Sequence, residues 1–309
     1  MRLERVLGST ALFWLTREAK FRERSARLKS EQSHSEWVGW LEQLPVKELM
    51  KLGRIPKRRA TKSNKPAIVS DCLRFFGVAA PNQWEQHYGG MQVDFRRSRA
   101  DQADIGAISS WLRMGEQEAE EHSCPKYDKT AFLEALQHIR GLTTLSPEEF
   151  EPIMKETLRN VGVQLILVPS IPRSHVSGVA RWLNRFSPLI QLSLYGKSND
   201  KFWFSFFHEA AHIVLHASKK EEKETVYLDD LTAGRSNDPK ELEADQWAAD
   251  ALISVEQAKE LSRLRSEVHI VEFAKQIDLH PGIVVGRLQH EGLLPWNRFN
   301  ALKVSYTLG

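Results

Sequence analysis

The sequence predicts an α+β fold, mainly helical, with a small antiparallel or mixed sheet packed on one apolar helix that carries His208, Glu209 and His212. Apolar residues recur at helical spacing up to about residue 160, alternate as in strands from 161 to 194, and become nearly continuous around the His208 segment. The chain is also long and apolar enough, with 309 residues, 41% hydrophobic content and nine Trp, to fill a sizeable core.

Residues 3–28 place Leu3, Val6, Leu7, Leu12, Phe13 and Leu15 around Gly8-Ser9-Thr10. That pattern reads as a short helix, a turn with Ser9 or Thr10 as cap, and a second helix. Trp37, Trp40, Leu41, Leu44 and Leu49 give 35–52 an amphipathic helical pattern, broken near Pro45. Between 51 and 66 stand seven basic residues and no acidic one, which reads as a solvated basic loop or linker, with a phosphate-contacting patch as the alternative. Residues 67–160 read as helical throughout, and Ser146-Pro147-Glu148-Glu149 opens a helix with a cap, an N1 proline and an acidic first turn. Val161, Val163, Leu165 and Leu167 then suggest a strand, and 176–182 with 189–194 a hairpin around 184–188.

Composition removes several classes. A net charge of +3 is too small to imply a nucleic-acid partner by itself. Cys72 and Cys124 lack metal-type spacing and fit a reducing compartment, so a cytoplasmic location is expected. The N-terminal apolar run lacks a cleavage site and no stretch approaches 18 apolar residues, so no membrane association is expected.

The chemistry concentrates in His208-Glu209-Ala210-Ala211-His212. Positions i and i+4 share a helix face, so both imidazoles can meet one ion. Glu209, turned about 100° from His208, falls beside that ion as a candidate general base. Hydrolytic zinc sites take three protein ligands and keep one position for water. The third ligand is expected from the helix opened by Asp238 and Pro239, with Glu241 as ligand and Asp245 accepting a hydrogen bond from a ligand imidazole. Glu243 is the alternative ligand. His216, one turn past His212, is expected at the helix end or behind the ligands. Tyr227, His269 and His280 are candidate donors to a tetrahedral intermediate.

The segments 204–216 and 241–252 resemble the ImmA/IrrE family of metallopeptidases, which pairs F-x-x-x-H-E-x-x-H with a later E-x-x-A-[ND]-x-[FW]-A-A. Here the second motif runs from Glu241 through Asp245 and Trp247 to Ala249, with Asp for the commoner Asn and Trp for Phe. The resemblance covers about 145–290. It implies a gluzincin-like peptidase domain, Zn²⁺ as cofactor, His208, His212 and Glu241 as metal ligands, and a protein partner such as a repressor, antitoxin or toxin. Residues 3–15 resemble the closing helices of a HigA-type antitoxin's helix-turn-helix domain, and 273–288 resemble the C-terminal part of long HigA-like proteins, expected to pack on the peptidase. The helices that would enter a major groove have no counterpart in this sequence, which argues against DNA as a partner.

The expected organisation is therefore a helix-turn-helix remnant (1–28), a helical domain with a basic linker near 51–66 (29–144), the peptidase-like domain (145–290) and a C-terminal tail (291–309). The expected function is a zinc endopeptidase acting on a regulator. The alternative is an antitoxin or transcriptional regulator that uses the same domain as a binding scaffold.

Overall fold

The computed structural model describes residues 5–6, 8–89, 104–174, 176–193, 198–216, 227–230 and 238–306, the stretch 227–230 by its backbone alone. Leu3, Leu7 and Leu194 of the expected elements lie outside the described residues. Two compact units divide the chain, Met1–His87 and Tyr88–Gly309. Among the described residues no helix is long and apolar enough to cross a membrane.

In the first unit, Gly8 and Ser9 take positive φ and Thr10 caps helix α1 (Ala11–Glu36), its hydroxyl accepting from Phe13 N at 3.3 Å. The division expected after residue 28 falls inside α1, because nothing between Arg27 and Glu36 breaks a helix. A 3₁₀ turn (Trp37–Gln43) and helix α2 (Val46–Lys51) replace the single helix expected over 35–52, separated at Pro45 as the sequence suggests. Helix α3 (Lys65–Phe76) ends on Gly77 at φ 69°, and α4 (Pro81–Gly89) follows. Trp40, Leu44, Leu49, Ile55, Ile68, Val69 and Phe76 form this unit's core. Residues 56–60 are exposed and irregular, a solvated loop as the sequence suggests, but buried Ile55 ties the stretch down inside the first unit, so it does not link two units.

The second unit starts well before residue 145. Helices α5 (Ile105–Glu120) and α6 (Lys129–Arg140) belong to it, and Phe132, Leu136, Ile139 and Leu142 join the core beneath the sheet. Helix α7 (Pro147–Asn160) carries the expected start, here a capping box between Ser146 and Glu149. Strands β1 (Gln164–Leu167), β2 (Val176–Asn184), β3 (Ser187–Leu192) and β4 (Tyr227–Asp230) form one mixed sheet in the order β1-β3-β2-β4. β1 runs parallel to β3, and the expected hairpin is β2–β3, closing with Asn184 opposite Ser187. β4 pairs antiparallel with β2, which therefore lies inside the sheet.

Strand alternation sends Ala180, Ile190 and Leu192 into the main core and Arg181 and Gln191 to the other side, against α5. There Arg181 Nη2 donates to Leu112 O at 3.0 Å, Gln191 Nε2 to Trp111 O at 2.6 Å, and Arg181 Nη1 pairs with Glu116 Oε1 at 2.7 Å. Burial, the largest influence on Glu116, raises its carboxyl pKa, but the Arg181 charge and hydrogen bonds from Arg113 and Arg181 outweigh it and hold the group below its ordinary value. Glu116→Gln strands a fully buried guanidinium, so unfolding in urea should show a loss of about 3 kcal/mol near neutral pH. With the folded-state pKa lowered, the native contribution is full above the unfolded pKa and is lost as pH falls through the folded one, so the variant's deficit should shrink in acid.

On the first face lies α8 (Asn199–Leu215), followed along the chain by α9 (Pro239–Leu252), the short α10 (Val255–Ala258), α11 (Glu267–Gln276) and α12 (Pro281–His290). α12 packs on α8 as expected, and a Cβ at Gly286 would lie 2.7 Å from Asp200. Residues 291–306 are not a loose tail. Asn199 N donates to Val304 O at 2.7 Å, Lys303 Nζ pairs with Asp200 at 2.6 Å, and buried Tyr306 accepts from Trp203 Nε1 at 3.1 Å. These contacts fasten the start of α8.

Candidate metal centre

Helix α8 is buried on nearly every side, with Phe202, Trp203, Phe206, Phe207, Ala210, Ala211 and Ile213 in the core. Polar side chains in such a helix cost several kcal/mol unless they are paired or hold an ion. His208 and His212 are nonetheless almost fully buried, at 3% and 2% exposure, and their Nε2 atoms lie 3.0 Å apart. Asp238 starts α9 by accepting from Lys240 N, with Pro239 at N1. Fully buried Ala244 and Ala248 let α9 approach α8 closely, as the sequence suggests.

That approach delivers Glu241. Its Oε2 is 3.2 Å from His208 Nε2 and its Oε1 is 3.5 Å from His212 Nε2. Two ligand atoms held about 2.05 Å from a tetrahedral ion are separated by roughly 3.3 Å, so the spacings of 3.0, 3.2 and 3.5 Å fit a three-point cradle for such an ion. Among the described residues, His208, His212 and Glu241 are the group able to hold a metal.

The atoms behind the ligands fix their direction. His208 Nδ1 donates to Asp245 Oδ1 at 2.9 Å, leaving the Nε2 lone pair for an ion. His212 Nδ1 is 2.9 Å from His216 Nδ1, and His216 Nε2 is 3.0 Å from Glu243 Oε2. One set of tautomers satisfies this chain: His212 donates to His216, His216 donates to Glu243, and His212 Nε2 keeps its lone pair. Glu243, the alternative ligand, is thereby assigned to the outer end of a relay. His216 stands behind the ligands at the C-cap of α8, and Asp245 has the partner expected of it.

Two imidazole lone pairs and a carboxylate facing one another repel unless a cation lies between them. Their protonation matches that need. Burial, the largest influence, lowers the His212 pKa and favours the neutral ring. Burial, the largest influence on Glu241, raises its carboxyl pKa, but the two imidazoles beside it outweigh that effect and bring it to about 2. Glu241 keeps 20% of its side chain exposed, so the cradle opens to solvent on its side.

Glu209 is completely buried against β2. A Cβ at Gly178 would lie 2.7 Å from Glu209 Oε1 and 2.7 Å from Leu192 Cδ2, so only glycine leaves room for the carboxylate there. The β2–β4 register shifts between Val176 and Gly178, next to the same point.

Known protein families, curated proteins and solved structures contain no match to this chain. The reading of the centre therefore rests on the residues themselves. Of the candidate donors to an intermediate, His280 caps α12, accepting from Gly282 N at 3.0 Å, and its Nδ1 lies 2.7 Å from Asn199 Nδ2 at the far end of α8, about 14 Å along the axis from His208. Exposed His269 lies in the first turn of α11, where its backbone N donates to Ser266. Tyr227 pairs through its backbone with Ala180, and its side chain lies outside the description. Sequence reading missed Gly178 and the His216–Glu243 contact. A signal for the second was the three-way i, i+4 series His208, His212, His216 opposite an acidic helix.

Proposed function

We propose that the protein is a cytoplasmic zinc endopeptidase that cleaves a protein partner, of the repressor, antitoxin or toxin type that the family resemblance implies. The observation that carries the reading is the convergence of His208, His212 and Glu241 on one point with Glu209 adjacent in sequence. Two histidines and a glutamate, with one position left over, are a donor set of catalytic zinc. When bound, the ion would polarise the scissile carbonyl and the attacking water.

The protein's own groups have separate tasks. Glu209 takes the proton of the attacking water and hands it to the leaving amine. Asp245, and His216 backed by Glu243, keep both ligand imidazoles aimed. Gly178 holds the sheet close to Glu209 without crowding it. β2 and β3 are each flanked on both sides, so neither can take a substrate strand. The outer edge of β4 is the available backbone template on that side of the sheet among the described residues.

The reading is tested by incubating a cell extract with zinc-loaded and chelator-stripped protein and sequencing the N-termini that appear. One zinc per chain and a small set of new N-termini that depend on zinc are expected. A protein that binds no zinc after refolding in its presence, and yields no such termini, removes the proposal and leaves the scaffold role.

A further inference from the structure

We infer that the first compact unit is a nucleic-acid-binding module that contacts the phosphates of duplex DNA through a shallow surface lined by lysine and arginine, without reading base sequence. The overall charge of +3 conceals a sharp division. Residues 1–87 contain seventeen Lys and Arg against nine Asp and Glu, and residues 88–309 twenty-six against thirty-one. The first unit is thus strongly cationic and the second anionic.

Within the first unit the cations are gathered by the fold. Lys47 and Lys51 stand one turn apart on α2. The chain then turns at Gly53, with φ 71°, and the amides of Arg54 and Ile55 donate back to Leu49 O. Burial of Ile55 anchors the returning strand, which brings Lys57, Arg58 and Arg59 alongside α2. Together with Met50 these five cations line a shallow, open depression of about 460 Å³. Arg58 is oriented from below: its Nε donates at 2.7 Å to Asp71, whose side chain is 4% exposed. Among the described residues, the carboxylate nearest Lys51 is Glu48, at 3.9 Å.

Asp71 offsets Arg58, but Lys47, Lys51, Lys57 and Arg59 still gather like charge on one surface, and a dense polyanion relieves that repulsion. Duplex DNA offers the densest regular array, about one phosphate charge per 1.7 Å of axis. A second group of cations, Arg17, Lys20 and Arg24, shares one face of α1. This contact is unrelated to a helix entering the major groove, and it concerns a different unit from the metal centre, so neither reading depends on the other.

The test is fluorescence anisotropy of the full chain with a mixed-sequence duplex of about 20 base pairs, titrated from roughly 50 to 300 mM salt. Binding with a log–log salt slope of about −3 or steeper is expected, independent of sequence. Lys51→Glu, Lys57→Glu and Arg59→Glu together should weaken binding at least tenfold and flatten the slope by about 2.7. Arg58 is left intact because it holds buried Asp71. A control reversal in the second unit, Arg263→Glu with Lys275→Glu, should change affinity less than twofold. If circular dichroism shows the triple variant unfolded, Lys51→Gln with Arg59→Gln should still lower affinity severalfold. No binding at low salt, a slope shallower than −1, equal losses in the control, or stronger binding to phosphatidylserine vesicles than to the duplex would each overturn the inference.

Discussion

Glu209→Gln is expected to bind zinc in the same stoichiometry as the unaltered protein and to cleave its substrate about 10³-fold more slowly or worse. The expectation follows from geometry. Glu209 is fully buried, sits one residue from a ligand, and is not part of the three-point cradle formed by His208, His212 and Glu241. The amide has nearly the same shape as the carboxylate, so the tight contact over Gly178 is preserved. What is lost is a base. Metal content by plasma emission, together with the N-termini released from an extract, separates the two effects. Undiminished cleavage by the variant would show that Glu209 is not the base, and loss of zinc would show that it helps build the cradle.

The candidate metal centre was legible in the sequence because its information is local. An i, i+4 histidine pair needs only the helical repeat, and the run of apolar neighbours says that the helix is buried. Ala244 and Ala248 likewise announce a close helix contact, which places Glu241. Features made by distant parts of the chain were not legible. β4 is four residues long and gains its identity from pairing with β2, about fifty positions earlier in the chain. Arg181 looks like a surface residue of a strand until α5 supplies Glu116 and the Leu112 carbonyl. Residues 291–306 read as a tail because backbone contacts to Asn199, an ion pair to Asp200 and a single buried tyrosine bonded to Trp203 leave no periodic pattern. The cationic first unit was hidden by summation, since an acidic second unit cancels most of its charge.

Replacing Glu241 and Glu243 one at a time decides the third ligand. Glu241→Ala removes one corner of the cradle and leaves two neutral imidazoles, so zinc affinity should fall on the order of 10³-fold, beyond the 10- to 100-fold that outer partners contribute. Glu243→Ala should cost about tenfold or less, because it removes only the acceptor at the end of the His216 relay, and Asp245→Ala should fall between the two. The ranking is the test, read by competition with a chromophoric chelator. Thermal stability should follow it. An ion that binds only the folded chain stabilises it in proportion to the logarithm of its affinity, so excess zinc should raise the midpoint for Glu243→Ala nearly as far as for the parent and hardly at all for Glu241→Ala. A reversed order would place Glu243 on the ion. Equal and small effects of both would mean that α9 supplies no ligand, and that His208 and His212 are paired for packing alone.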